Sequence, residues 1–84
     1  MRFGIHVGPQ NTTIDELRRL WRFADEHGFD WFSVWDHFYA RTSDRIPHFE
    51  AVPLLAAIAC DTQRIRFGCM VFAVQFRNIG LLAK

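Results

Sequence analysis

The sequence predicts an α/β fold built on a small parallel sheet. Apolar residues alternate with a period of two in the opening segment and recur at helical spacing in the next. The later strand-like segments are apolar on both faces, as in sheets covered by helices. Strand-like segments also recur about every thirty residues, the spacing of a strand–helix–strand crossover. The predicted order is β-α-β-α-β-α, with two right-handed crossovers joining three parallel strands.

Arg2 to Gly8 (RFGIHVG) is the first strand, with Phe3, Ile5 and Val7 on one face and Gly4, His6 and Gly8 on the other. Gly8-Pro9 ends it, and Gln10-Asn11-Thr12 forms a polar loop. A helix follows from Thr13 to His27. Thr13 and Glu16 have capping-box spacing, and Asp15 and Glu16 suit the positive end of the helix dipole. Ile14, Leu17, Leu20, Trp21 and Ala24 make one apolar stripe, while Arg18, Arg19, Arg22, Asp25 and Glu26 cover the remainder. Gly28 stands where a left-handed C-terminal cap is needed, with Phe29 as its hydrophobic contact.

Asp30 to Asp36 (DWFSVWD) is the second strand, nearly continuous in apolar and aromatic residues. Ala40 to Pro47 is a polar loop. The second helix runs from Phe49 or Glu50 to Asp61, its start constrained by Pro53, which only the first turn tolerates. Leu54, Leu55, Ala57, Ile58 and Ala59 are apolar almost all round, which predicts deep burial. Arg64 to Val74 is the third strand, and Ile79 to Lys84 the first turns of a third helix. No segment repeats and none is of low complexity.

The 84 residues allow one small domain, and a 50% hydrophobic content with a net charge of +1 excludes intrinsic disorder. The same balance argues against a nucleic-acid binder, whose footprint is a basic excess. No apolar run approaches the roughly 18 residues of a membrane span, and no secretion signal is read at the start, so a cytoplasmic location and no membrane partner are expected. Cys60 and Cys69 form no CxxC pair, and reduced thiols are expected. The four histidines lack metal-ligand spacings, and no metal is expected. Neither GxGxxG nor a P-loop is present.

In parallel α/β folds ligand sites collect at the carboxyl ends of the strands. Here those ends are Gly8-Pro9, Asp36-His37-Phe38 and Met70 to Val74. Asp36-His37 is the leading candidate, because histidine exchanges a proton near neutral pH and a carboxylate can bind a ligand or tune an imidazole. Consecutive strand residues point to opposite faces, so the two need not touch. A purely structural alternative stands beside this: Asp36 caps the loop and His37 is a solvated surface histidine. His6 lies under a ligand if Gly4 and Gly8 line a barrel interior; otherwise it is a core or interface histidine. His48 precedes a helix and can help cap it. Cys60 reads as core, and no base is placed beside Cys69 to make it a nucleophile.

Taken together, GFDWFSVWDHF (Gly28 to Phe38), RIRFGCMVFAVQFRN (Arg64 to Asn78) and LLAK (Leu81 to Lys84) resemble the luciferase-like monooxygenase superfamily. Within it, the chain is similar to oxidoreductases that use the deazaflavin coenzyme F-420 rather than FMN, and MRFGIHVGPQ resembles the family's first strand. The resemblance implies a (β/α)8 TIM barrel with the cofactor at its carboxyl face and hydride transfer at carbon 5 of the deazaflavin. By matching position, His37 would be the catalytic residue, a proton donor or electrostatic partner near the reacting carbon. Asp36 would contact the coenzyme. A bulge in the third strand, often with a non-prolyl cis peptide, would back the ring at Met70-Val71. The chain departs from the family at Ile79, where proline is common, and at Pro53, where a helix former is more usual.

The resemblance runs the length of the chain, which would supply only about the first quarter of a usual family member. Residues 1–84 are therefore expected to be a single N-terminal partial TIM-barrel segment, with three of the strands and little or no catalysis alone. The full family implies a small-molecule substrate; FMN is the alternative cofactor, in a monooxygenase. A different class of reading is a non-catalytic barrel segment that self-associates through open sheet edges into a homo-oligomer.

Overall fold

The computed structural model describes residues 1–40, 43 and 45–84. The elements are β1 (Gly4–Val7), α1 (Ile14–Glu26), β2 (Trp31–Val34), α2 (Ala51–Asp61), β3 (Arg66–Cys69), a 3-10 turn (Val74–Phe76) and α3 (Ile79–Leu82). The three strands form one open parallel sheet in the order β1-β2-β3. This is the architecture of part of a (β/α)8 barrel. The register sets Gly4 against Trp31 and His6 against Ser33, and Trp31 against Arg66 and Ser33 against Gly68.

The two sheet faces have different tasks. Ile5, Val7, Phe32, Val34 and Cys69 face the helices and pack with Leu17, Trp21, Ala24, Leu54 and Ile58. Trp21, Phe32, Val34 and Ile58 are fully buried, each contributing about 1.5–3 kcal/mol or more by leaving water. The other face carries Gly4, His6, Trp31, Ser33 and Gly68. There a Cβ on Gly4 would lie 2.0 Å from the Trp31 indole, and one on Gly8 would lie 2.0 Å from that of Trp35. Gly4 on β1 and Gly8 just past its end are thus notches that seat Trp31 on β2 and Trp35 just past its end.

The first helix forms as its sequence dictates. Thr13 and Glu16 make both bonds of the capping box. At the other end Gly28 has φ 76°, the Phe29 amide donates to the Ala24 carbonyl over 3.0 Å, and the Gly28 amide donates to Asp25 over 3.4 Å, a Schellman motif. Leu17, Trp21 and Ala24 are buried, but Ile14, at the helix start, is 38% exposed.

Several expectations are corrected. The strands are shorter than the apolar runs, and Met70 to Val74 lies beyond β3, because the chain turns away after Cys69. The apolar α2 is not buried all round: Ala51, Leu54 and Ile58 face the core while Val52, Ala56, Ala59 and Cys60 are exposed. A three-stranded sheet covers only one side of it. Pro53 falls within its first turn, where its missing amide costs no helix bond. Arg18, Arg22 and Asp25 cover the outer side of α1 as expected, and they also tie it to its neighbours. The Asp61 carboxylate accepts bonds of 2.8 Å from Arg18, Arg22 and the Trp21 indole, and is held well below the usual carboxylate range by Arg18 first, then Arg22 and Trp21, against its burial. The Asp25 carboxylate accepts the amides of Gln63, Arg64 and Ile65 at 2.7–2.9 Å. The predicted loop 40–47 lies partly outside the described residues. No helix among those residues is long and apolar enough to cross a membrane.

Gly28→Val forces a β-branched residue into the left-handed region. It should destabilise the fold by about 1 kcal/mol or more, measured by urea unfolding at equilibrium. An unchanged midpoint would place the helix stop elsewhere.

Candidate functional site

The three strand tips lie side by side because β2 pairs with both neighbours. The Met70 amide donates to the Val34 carbonyl over 2.8 Å, one step beyond β3, and the chain then leaves the sheet. The Met70–Val71 peptide bond is cis. The side chains of Met70 and Val71 are 56% and 75% exposed.

Alternation sends Asp36 and His37 to opposite sides of β2's end. Asp36, on the helix side, is 5% exposed. Its carboxylate accepts the Ala73 amide and the Arg77 Nε, each at 3.0 Å, and its other oxygen pairs with Arg77 Nη2. Arg77 Nη2 also pairs with Glu50 at the start of α2. Burial alone would raise the Asp36 carboxyl, but the Arg77 and Ala73 hydrogen bonds and the Arg77 charge hold it below its ordinary value. The bonds from Asp36 and Glu50 push the Arg77 pKa up in turn.

His37 continues the open face. Its ring stacks on Trp35 (centroids 4.8 Å apart, 9° between planes) and lies parallel to His48 at 6.3 Å. His48 reaches this place through the loop: it bridges Gln10, while the Asn11 amide donates to Pro47 and the Phe49 amide to Pro9. Trp35 Nε1 donates to His48 Nε2 over 3.0 Å. Burial and nearby His37 push the His48 pKa below its ordinary value, against the Phe49 backbone bond and Asp36. His6 is exposed on the same face, bonded to Ser33 Oγ at 2.8 Å and edge-on to Trp35.

A cleft of about 280 Å³ opens among Asp36, His37, His48, Glu50 and Arg77, with Phe38 and Phe76 meeting edge-to-face at its rim. Among the described residues, no group of three His, Cys, Asp or Glu side chains could hold a metal ion.

The sequence profile of luciferase-like monooxygenases matches residues 1–84. The chain belongs to the luciferase-like monooxygenase family. No curated protein and no solved structure matches the chain. Members of the family generally use flavin-type cofactors, and the chain is thereby placed with flavin-type oxidoreductases and monooxygenases.

In this luciferase-like chain the structure brings His37 and His48 together and lines the same cleft with Asp36, whose carboxylate is engaged with Arg77 and Ala73. Met70 and Val71 lie at the neighbouring tip. Sequence reasoning missed Arg77, Glu50, Trp35 and His48. A signal existed for Arg77: a carboxylate ending an apolar strand needs a counter-ion. None existed for His48, whose place depends on the path of the loop. Cys60, read as core, is exposed, whereas Cys69 is half-buried. Burial, and then Asp36, push the Cys69 thiol up to about 11.

Arg77→Leu would leave the Asp36 carboxylate buried and unpaired. It should cost roughly 2 kcal/mol or more at pH 7. The loss should shrink as pH falls below about 4, since the stability tied to a lowered carboxyl is present above the unfolded value and is lost in acid. Urea titrations at both pH values check this. A thiol reagent at about pH 8 should modify Cys60 rapidly and Cys69 slowly, and Cys60→Ser should abolish the fast phase.

Proposed function

We propose that the strand tips form part of a deazaflavin site, and that the chain is the N-terminal segment of a coenzyme F-420-dependent oxidoreductase acting on a small molecule. The features that support this are His37 stacked on Trp35 past the end of β2, and the exposed Met70 and Val71 just past the end of the neighbouring β3, beside a paired Asp36. The donor set suits a planar ring. Met70 and Val71 offer exposed apolar surface, the stacked Trp35 and His37 offer aromatic edges, and His37 makes no hydrogen bond to the described residues. Arg77 is already neutralised by Asp36 and Glu50, so a phosphate-bearing tail is held by other residues.

When bound, the deazaflavin supplies or takes up the hydride at its carbon 5. His37 holds a proton at the open face, where a reacting substrate would lie. Met70 and Val71 back the ring. Asp36 acts on the site by fixing Arg77 and the Ala73 amide, and through them the turn that carries residues 70–77. The unpaired edges of β1 and β3 favour association with a second copy.

Fluorescence titration of the chain with coenzyme F-420 and with FMN tests the assignment. Tighter binding of the deazaflavin is expected; preference for FMN would transfer the chain to the monooxygenase reading, and absence of binding to both would leave the self-associating segment. In a complete barrel, His37→Ala should lower turnover far more than coenzyme affinity, about 10²-fold or more. Equal turnover in both proteins would remove the proton-donor role.

A further inference from the structure

Three of the four histidines gather around one tryptophan: His6 and His37 contact the Trp35 ring, and His48 accepts its N–H. An indole N–H can donate but cannot accept. It points at Nε2 of His48, 3.0 Å away, so that nitrogen offers its lone pair and the ring proton lies on Nδ1. A second proton on Nε2 would set two N–H groups against each other. Nor is the ring loosely held. The Gln10 bridge and the backbone bonds of its neighbours Pro47 and Phe49 fix the loop on either side. His37 lies parallel to this ring with only 4° between the planes.

We propose that His48 is a positioning residue for His37: fixed as a neutral acceptor by Trp35, it leaves His37 as the one imidazole of the stacked pair able to carry a mobile proton. This rests on the proton-holding role given to His37 above, but the pairing itself can be tested without coenzyme.

Among the described residues, the other titratable groups lining the space around His48 are Asp36, Glu50 and Arg77 in the cleft, with Tyr39 and Arg45 on its other side. Asp36 and Glu50 both pair with Arg77, which spends most of their field locally. Asp36 favours a charged His48, yet burial and His37 outweigh it, in keeping with the neutral form that the indole bond requires.

Nitrogen-15 spectra of the histidine rings of this chain, recorded from about pH 5 to 8, decide the matter. His48 should show the Nδ1–H tautomer and titrate below the ordinary midpoint of about 6.5. Trp35→Phe keeps an aromatic ring for stacking and removes the donor; the His48 midpoint should then rise by about one pH unit. A wild-type His48 protonated on Nε2, a midpoint at or above the ordinary value, or an unmoved midpoint in Trp35→Phe would overturn the proposal. If that variant fails to fold, the wild-type tautomer settles the question alone. Failure of coenzyme binding leaves these spectra unaffected, so the two readings fail separately.

Discussion

The buried Asp36 carboxylate is the constraint from which the strand-tip geometry follows. It stands on the helix-facing side of the central strand, where an uncompensated charge is costly. Its partners, the Ala73 amide and the Arg77 guanidinium, lie beyond β3. Satisfying the charge therefore draws the chain after β3 back across the tip of β2. Glu50 shares Arg77, so the start of α2 joins the same knot. The exposure of Met70 and Val71 and the position of Phe76 at the cleft rim follow from that path.

Two other carboxylates close joints in the same way. Asp61 binds the end of α2 to three residues of α1, and Asp25 receives three amides of the turn entering β3. Charge-assisted bonds suit such places, because irregular backbone has donors that no ladder satisfies. All three carboxyls are held below their ordinary values. The first and largest cause for Asp25 is the Gln63 amide, and for Asp61 it is Arg18, whereas for Asp36 burial opposes the shift and its partners prevail. Acid therefore loosens these three joints in the same direction.

The fold was legible because its local signals agree. The capping box at Thr13, the stop at Gly28 and the alternation in β1 each have a short-range cause that acts before any tertiary contact forms. The parallel topology followed from spacing. What the sequence hid is what depends on distant partners. Nothing near Asp61 in the chain says that Arg18 and Arg22 will reach it. The apolar surround of α2 suggested full burial, but a helix is buried only on the sides that other elements cover. At the site, Asp36-His37 stood out by composition and by place on a strand end. His48 could not, since its ring reaches His37 only through backbone bonds to Pro9, Gln10 and Asn11.

The unequal sharing of space between β1 and β2 has an evolutionary consequence. Where a glycine on one strand leaves room for an indole on the next, neither residue owns its volume. Enlarging Gly4 or Gly8 evicts a tryptophan, and shrinking the tryptophan uncovers the glycine. Drift at these two places must come as matched exchanges across the strand boundary, so relatives that keep the notch should keep the indole with it.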